Sequence, residues 1–495
     1  MALLNFFSHG SRPTASRVPL YLFNTLGKEK QEFTLPVRVH EVRMYNCGPT
    51  VYGVQHIGNL SMFVFTDILR RTLEYNGFKV KQVINITDFG HLTSDADEGE
   101  DKMTKGLKRE KMRVTMANMA KLAEKYTAIF LDDLKALNID ISHIEFPRAS
   151  AYIAAEIAMV QTLIEKGYAY DGENAVYYDT SRFPAYGELG GIDLSGLKEG
   201  ARVAASAEKH HPTDFVLWKK DAKLGWKSPW GKGFPGWHIE CSAMINSCLG
   251  KQIDIHTGGI EHVAIHHNNE IAQSEAATGK HPLSRFWMHR NHIQIEGSKI
   301  AKSDGNVVYL SEIIERGFHP FALRYLFLGA HYRAASNFSW DALEATQNAL
   351  ARILAIRISI TETPGETPKK YQKRFHERIN DDLDTPGALA VMWEMAKDES
   401  LAPADILAGL IEFDRIFGIG ITEPDGELKR LGLSVLKVEI DPAQLPEEVR
   451  AMIAERETAR ASRDFHTSDA IRSRLDEMGY TLEDSVSGTR IFKKQ

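Results

Sequence analysis

The sequence predicts an α/β protein: a parallel sheet interrupted by an insertion and followed by a mainly α-helical C-terminal region. Three observations carry that prediction. HEVRMYNC (40–47) alternates like a strand, LSMFVFTDILRRTLEYN (60–76) spaces its apolar residues like a helix, and KVKQVINIT (79–87) is strand-like again. Strand, turn, helix and strand in succession make a βαβ unit, whose two strands run parallel. From WHIECSAMI (237–245) through QIDIHTGG (252–259) to RFWMHRNHIQIEG (285–297) the helix-then-strand alternation resumes, as if the sheet were being completed. From residue 310 onward helical spacing dominates.

Taken in order, MALLNFFSHGSRPTASRVPL (1–20) reads as a loose N-terminal extension. It lacks a basic stretch before its short apolar run and a clear small-residue cleavage site, so it does not read as a secretory signal. The helix over 60–76 closes at Gly77, where a helix C-terminus favours glycine. A parallel sheet of this kind binds ligands at the carboxyl ends of its strands, and Cys47 and Asp88 both fall at such ends. Two amphipathic helices are expected at 113–138 and 150–167. The stretch 168–235 is rich in Gly, Tyr and Trp, with short β-like runs NAVYYD and TDFVLW, and reads as an insertion. TETPGETPKK (361–370) suits a loop between helices and TEPDGELKRLG (422–432) an interdomain linker. PEEVRAMIAERETARASRDF and TSDAIRSRLDEMG predict two closing helices, the second with a Thr/Ser cap and a final glycine, and SVSGTRIF predicts a short hairpin. The layout is an extension at 1–20, the first sheet half at 21–145, an insertion at 146–235, the second half at 236–310, a helical region at 311–425 and a C-terminal module at 426–495.

Composition narrows the class. With 495 residues, 43% hydrophobic and 25% charged, the chain is an ordinary globular protein of roughly three or four domains, not a disordered one. Three cysteines, Cys47, Cys241 and Cys248, are too few and too odd in number for a disulfide framework; a reducing, cytoplasmic setting is expected. No apolar run approaches membrane-spanning length, so no membrane partner is expected. A net charge of −6 argues against a uniformly basic surface, while a nucleic-acid partner needs only a local basic face.

Two short motifs carry phosphate chemistry. HIGN (56–59) lies at the start of the helix after the first strand, where unpaired backbone N–H groups and a positive dipole end suit a nucleotide triphosphate and Gly58 permits close approach. Taken alone it fits a surface histidine in a capping turn equally well. GSKIAKSDGN (297–306) places two lysines three apart beside glycines and serines, suited to following negative charge on phosphates; taken alone it fits a solvated loop. Order and distance join them, since HIGN opens the first half of the split sheet and KIAKS closes the second.

That pairing resembles the HIGH and KMSKS signature of the class I aminoacyl-tRNA synthetases. YNCGPTVYGVQHIGN, NITD, GWHIECSAM, DIHTGG, HHNNEIAQSEA, HYR, DDLDTPGAL and RDFHTSDAIRSRL, in that order over roughly residues 20–493, resemble the cysteinyl-tRNA synthetase family. The resemblance implies a class I synthetase Rossmann-like catalytic domain split by a connective insertion. It places tRNA-contacting helices at 311–425, including the basic KKYQKRFHERI (369–379), which by itself reads as a solvated face, and an anticodon-binding module in the last stretch.

The thiols then gain a role. Cys47, Cys241, His266 and Glu270 offer two thiolates, an imidazole and a carboxylate, a set that suits zinc; His266 and Glu270 stand i, i+4 on one helical face. In that family these four positions hold one zinc ion per chain that binds the substrate thiolate. Cys248 is expected to be an ordinary buried thiol. The resemblance further implies that His56 and Asn59 contact ATP phosphates, that Gly58 lets adenine or ribose lie close, and that Lys299 and Lys302 stabilise the transition state beside Ser303. Cys47, Gly48, Thr50, Thr87, Asp88 and His256 surround the amino acid, and Trp237 walls its pocket. Mg²⁺ accompanies ATP. The implied partners are ATP, L-cysteine and tRNA(Cys), with a monomer as the default.

The chain departs from the family pattern in four places. Asn59 stands for the second histidine of HIGH; Ile300 and Ala301 alter KMSKS; IEHVAI (260–265) replaces an aspartate-containing segment; and an acidic, His-bearing stretch follows NITD. Two other readings stay open. One is a ligase of the same fold that passes cysteine to a small amine, against which the intact tail argues. The other is an inactive zinc protein that binds RNA.

Overall fold

Strands buried on both faces need densely apolar runs, and the C-terminal halves of the predicted strands supply them. In a computed structural model, β1 (Glu41–Asn46), β2 (Lys79–Ile84), β3 (Ile144–Glu145), β4 (Ile253–Gly259) and β5 (Ser284–Arg290) form one wholly parallel sheet. The structure describes residues 18–36, 39, 41–90, 101–191, 208–299, 307–422, 438–439, 445–462, 464–485 and 488–493. The sheet order is 3-2-1-4-5, so the chain reverses direction across the sheet between β1 and β4. In open α/β sheets a ligand crevice lies at such a reversal, outside the carboxyl ends of the two strands.

Three helices carry residues of the site. α1 (Ile57–Tyr75) follows β1 and is buried nearly all round, between the sheet and the helices beyond it. His56 caps it: the Asn59 N–H donates to His56 Nδ1 at 3.2 Å. α2 (Trp237–Cys248) precedes β4, and α3 (His266–Thr278) joins β4 to β5 and ends on Gly279 in the left-handed conformation at φ 65°. α1 and the start of α2 line the crevice, and α3 packs against α2. The predicted strands and helices of the two sheet halves occur where their patterns place them, with ends shifted by a few residues.

The insertion is a domain-like layer of its own: helix Ile153–Glu165, then an antiparallel sheet whose strands include Ala175–Tyr178, Phe215–Lys220 and Gly231–Pro235. The helix over 113–138 is found at Met116–Ala136, and a further short one, Lys102–Arg109, lies just beyond the acidic stretch 91–100, which is outside the described residues. Past residue 310 the chain is helical, at Pro320–Leu328, Trp340–Ser359, Lys369–Asn380, Thr385–Ala396 and Pro403–Phe417. TETPGETPKK falls between two of them. The linker TEPDGELKRLG lies outside the described residues after its first position, Thr422. Helices Glu447–Ala461 and Phe465–Glu477 and the hairpin Tyr480–Ser485 with Gly488–Lys493 complete the chain around Leu445, Val449, Leu475 and Leu482. No described helix is long and apolar enough to cross a membrane.

Candidate metal centre and nucleotide cleft

Cys47 directly follows β1, and its neighbour decides how close the next strand comes. A Cβ on Gly48 would stand 1.6 Å from the Asn85 carbonyl oxygen, so only glycine fits there. The Cys47 N–H donates to Thr257 O at 3.1 Å and the Gly48 N–H to Asn85 Oδ1 at 2.7 Å, pinning the turn between β2 and β4. Cys241 comes from α2, and His266 and Glu270 from one face of α3.

These four side chains meet. One donor atom from each of Cys47, Cys241, His266 and Glu270 lies within 4.8 Å of all the others, and all four residues are buried. Cys47 Sγ is 3.7 Å from Glu270 Oε1, Cys241 Sγ 3.7 Å from His266 Nε2, and His266 Nε2 2.8 Å from Glu270 Oε1. Zinc–sulfur and zinc–nitrogen distances in a tetrahedral site put neighbouring donors about 3.5 Å apart. The two sulfur contacts match that spacing, and the closer His266–Glu270 pair is an ion pair within the same set. Two thiols, an imidazole and a carboxylate therefore fit a soft divalent cation in both chemistry and spacing.

The electrostatics agree. Burial pushes the Glu270 carboxyl up, but His256 and His266 outweigh it and hold the group well below the usual carboxylate range. Burial works against a charged His266, yet Glu270 and Cys241 raise it to about 10. The hydrogen bond from Cys47 lowers Cys241 to about 7, while burial keeps the Cys47 thiol well above its ordinary value. This is a pocket built for positive charge.

A second layer surrounds the four. His256 Nε2 bonds Glu270 Oε2 at 2.8 Å and its ring stacks on Trp287 at 4.5 Å, so His256 orients the carboxylate. His238 Nδ1 is 2.8 Å from His266 Nδ1. His267 reaches Cys47 Sγ at 3.3 Å and His289 Nε2 at 2.8 Å, and His289 Nδ1 meets Thr25 Oγ1 at 2.7 Å. Cys47, His256, His267 and Glu270 also lie within 4.8 Å of one another. Helical spacing in HHNNE singles out His266; the roles of His267, His289 and Thr25 depend on tertiary contacts that sequence spacing does not encode.

Beside this centre opens a cleft of about 460 Å³ at the ends of β1, β4 and β5. Cys47, Gly48, Thr50, His56, Gly58, Asn59 and Trp237 all line it, so the HIGN turn and the thiol share one cavity. Trp237 begins α2, packs 4.5 Å from His266, and carries Lys102 Nζ 5.0 Å above its ring. Glu261 and His262 of the variant IEHVAI segment also line the cleft.

Thr87 and Asp88 act from behind. Thr87 Oγ1 donates to Glu240 Oε2 at 2.9 Å, and Asp88 accepts the Ser150 N–H at 2.9 Å and its hydroxyl. Neither Thr87, Asp88 nor His256 lines the cleft; they bond instead to Glu240, Ser150 and Glu270. Cys248 is half-buried, with the Tyr152 hydroxyl 3.3 Å from its sulfur, rather than fully buried as expected.

Of KIAKS, Lys299 belongs to a two-residue strand, Ser298–Lys299, paired with Gln294 and Ile295, while Lys302 and Ser303 lie outside the described residues. The chain on the far side returns to the HIGN turn: the Ile57 N–H donates to Val308 O at 3.0 Å and His56 bridges Tyr309.

Comparison with known proteins bears on this geometry. Residues 33–348 match the family model described as the class I (C) tRNA synthetase catalytic domain, and 443–491 the cysteinyl-tRNA ligase anticodon-binding domain. A cysteine–tRNA ligase of Burkholderia lata is 43% identical over 481 residues, 96% of this chain and 97% of that protein. One of Thermus thermophilus is 40% identical over 486 residues, covering 95% and 98%, and one of Treponema denticola 39% over 501 residues, covering 95% and 99%. Among solved structures, methionyl-tRNA synthetase of Mycobacterium tuberculosis bound by methionyl-adenylate shares the fold, with a TM-score of 0.54 at 14% identity over 80% of this chain and 94% of that one. With two family models and near-full-length relatives at about 40% identity, the chain belongs to the cysteinyl-tRNA synthetase family of class I.

Proposed function

We propose that the protein is a cytoplasmic enzyme that activates L-cysteine with ATP, releasing pyrophosphate, and transfers the cysteinyl group to the 3′ end of tRNA(Cys). The observation that carries this reading is the shared cavity: Cys47, one of the four clustered donors, lines the same cleft as the HIGN turn. Relatives of near-equal length named for that reaction support it, as does the C-terminal match over 443–491.

Cys47, Cys241, His266 and Glu270 would hold zinc, which when bound supplies a Lewis acid that favours a thiolate over a hydroxyl. Trp237 and Thr50 then flank the amino acid, and the Cys47–Gly48 turn fixes the depth of its pocket. His56, Gly58 and Asn59 present the start of α1 to the triphosphate, where backbone donors and the helix dipole favour anions. Asn59 keeps an amide donor in place of an imidazole. Lys299 and Lys302 stabilise charge at the α-phosphorus as the cysteine carboxylate attacks and pyrophosphate leaves, with Ser303 beside them and Mg²⁺ accompanying ATP. Little covalent chemistry falls to the protein, so positioning and charge dominate.

Shape alone separates cysteine from serine by only a few kcal/mol, so a donor set selective for sulfur is the economical way to discriminate. The test is amino-acid-dependent ATP–pyrophosphate exchange followed by transfer to tRNA(Cys). Cysteine should support both steps and serine exchange at least ~1,000-fold less efficiently, a margin above what a shape-only pocket provides. Equal exchange with both amino acids would sink the thiol-selective reading; exchange without transfer would favour a small-amine acceptor.

A further inference from the structure

Arg290 ends β5 at the floor of the cleft and is 5% exposed. Two other buried guanidinium groups, Arg324 and Arg70, are paired with a carboxylate. Arg324, fully buried, donates to Asp67 at 2.6 Å and to the carbonyls of Phe417 and Leu137 at 2.6 and 2.9 Å, and Arg70 donates to Asp67 at 2.9 Å. Arg290 differs. Its Nε donates to Ser61 Oγ at 2.8 Å and its guanidinium stands 5.7 Å from the Phe327 ring centroid, and among the described residues no carboxylate lies within ion-pair distance. Burial alone lowers it to about 10, with no acidic neighbour to offset the effect.

Its placement is fixed by the nucleotide side of the cleft. Ser61 passes the contact on, its hydroxyl donating to Gly58 O at 2.7 Å, so the guanidinium is tied through one serine to the HIGN turn. Arg290 lines the cavity together with His56 and Asn59. A buried cation without a counter-charge is costly unless an anion completes it, and a planar guanidinium matches the oxygens of a phosphate.

We infer that Arg290 is a further nucleotide-contacting residue, whose guanidinium donates to a phosphate oxygen of ATP from beneath the HIGN turn. This rests on the proposed use of ATP. The test is kinetics of pyrophosphate exchange in Arg290→Ala, Arg290→Gln and Arg290→Lys, together with equilibrium binding of ATP and of adenosine. Losing a charge-assisted pair should raise the KM for ATP roughly 10- to 100-fold in the Ala and Gln variants. The KM for cysteine, the zinc content and the affinity for adenosine should stay unchanged, and Lys should recover part of the loss. An unchanged KM for ATP in a folded, zinc-loaded variant overturns the inference. So does a rise confined to cysteine, which would assign the amino-acid carboxylate, or an equal loss for adenosine and ATP, which would assign base packing. Should Arg290→Ala fail to fold, the Lys variant with a cooperative melt carries the same comparison. If the wild-type protein exchanges with no amino acid, the reading of function falls, while ATP against adenosine binding still decides Arg290.

Discussion

At the scale of the residue, the metal centre is a balance of protons that a cation would displace. His266 carries a proton up to about 10 because Glu270 and Cys241 outweigh its burial, and burial keeps the Cys47 thiol protonated at neutral pH. Binding a divalent ion must release these protons, so with about two protons released per ion zinc affinity should rise roughly 100-fold per pH unit between about 6 and 8. Calorimetry in two buffers of different ionisation enthalpy measures that release directly; a pH-independent affinity would contradict the assignment. Cys241→Ser should bind zinc weakly in the same assay. Much of this centre is legible in the sequence. The i, i+4 pair in HHNNE and a cysteine in each sheet half are visible as patterns, and the family resemblance joins them. Asp88 and His256 are legible as important but not as supports, because whether a side chain faces a ligand or a neighbour depends on packing: Asp88 is turned to Ser150, and His256 to Glu270.

At the scale of the element, buried charge fastens α1 to the helical region. Asp67 accepts Arg70, Arg71 and Arg324 at 2.9, 2.7 and 2.6 Å, with Arg324 fully buried on the helix Pro320–Leu328. Burial opposes ionisation of Asp67, but the three guanidinium groups prevail and hold its carboxyl well below the usual range. Asp67→Asn leaves buried cations without their partner and should cost about 3–5 kcal/mol, read from the denaturant midpoint at pH 7. The sign with pH follows from the depressed value. The carboxylate's contribution is present above the ordinary carboxylate range and is lost as pH falls through the folded value, so the difference between variant and parent should shrink in acid. A difference that is absent at pH 7 would remove Asp67 from this role. DDLDTP works similarly: Asp382 Oδ1 accepts the Phe23 N–H and the Tyr332 hydroxyl at 2.8 and 2.6 Å, tying the hairpin of Tyr21–Asn24 with Glu29–Glu32 to the helical region, and Asp384 caps the helix Thr385–Ala396. Helix periods and caps are local and so are readable; the contacts of Asp67 with Arg324 and of Asp382 with Phe23 join residues 257 and 359 positions apart.

At the scale of the whole molecule, a split parallel sheet in the order 3-2-1-4-5 brings Cys47, Gly259 and Arg290, from three separate strand ends, to one crevice. The split itself is legible, because the helix-then-strand alternation gives way to a Gly-, Tyr- and Trp-rich stretch at 168–235 and resumes from residue 237. The strand order is not, since pairing of β1 with β4 joins segments some two hundred residues apart. The central claim is that this crevice recognises a thiol through a metal held by Cys47, Cys241, His266 and Glu270. The most direct measurement is calorimetric titration of cysteine and of serine into zinc-loaded and metal-free protein. Cysteine binding to the zinc-loaded protein, lost on metal removal and not reproduced by serine, is the result predicted; equal cysteine affinity with and without the ion would contradict it.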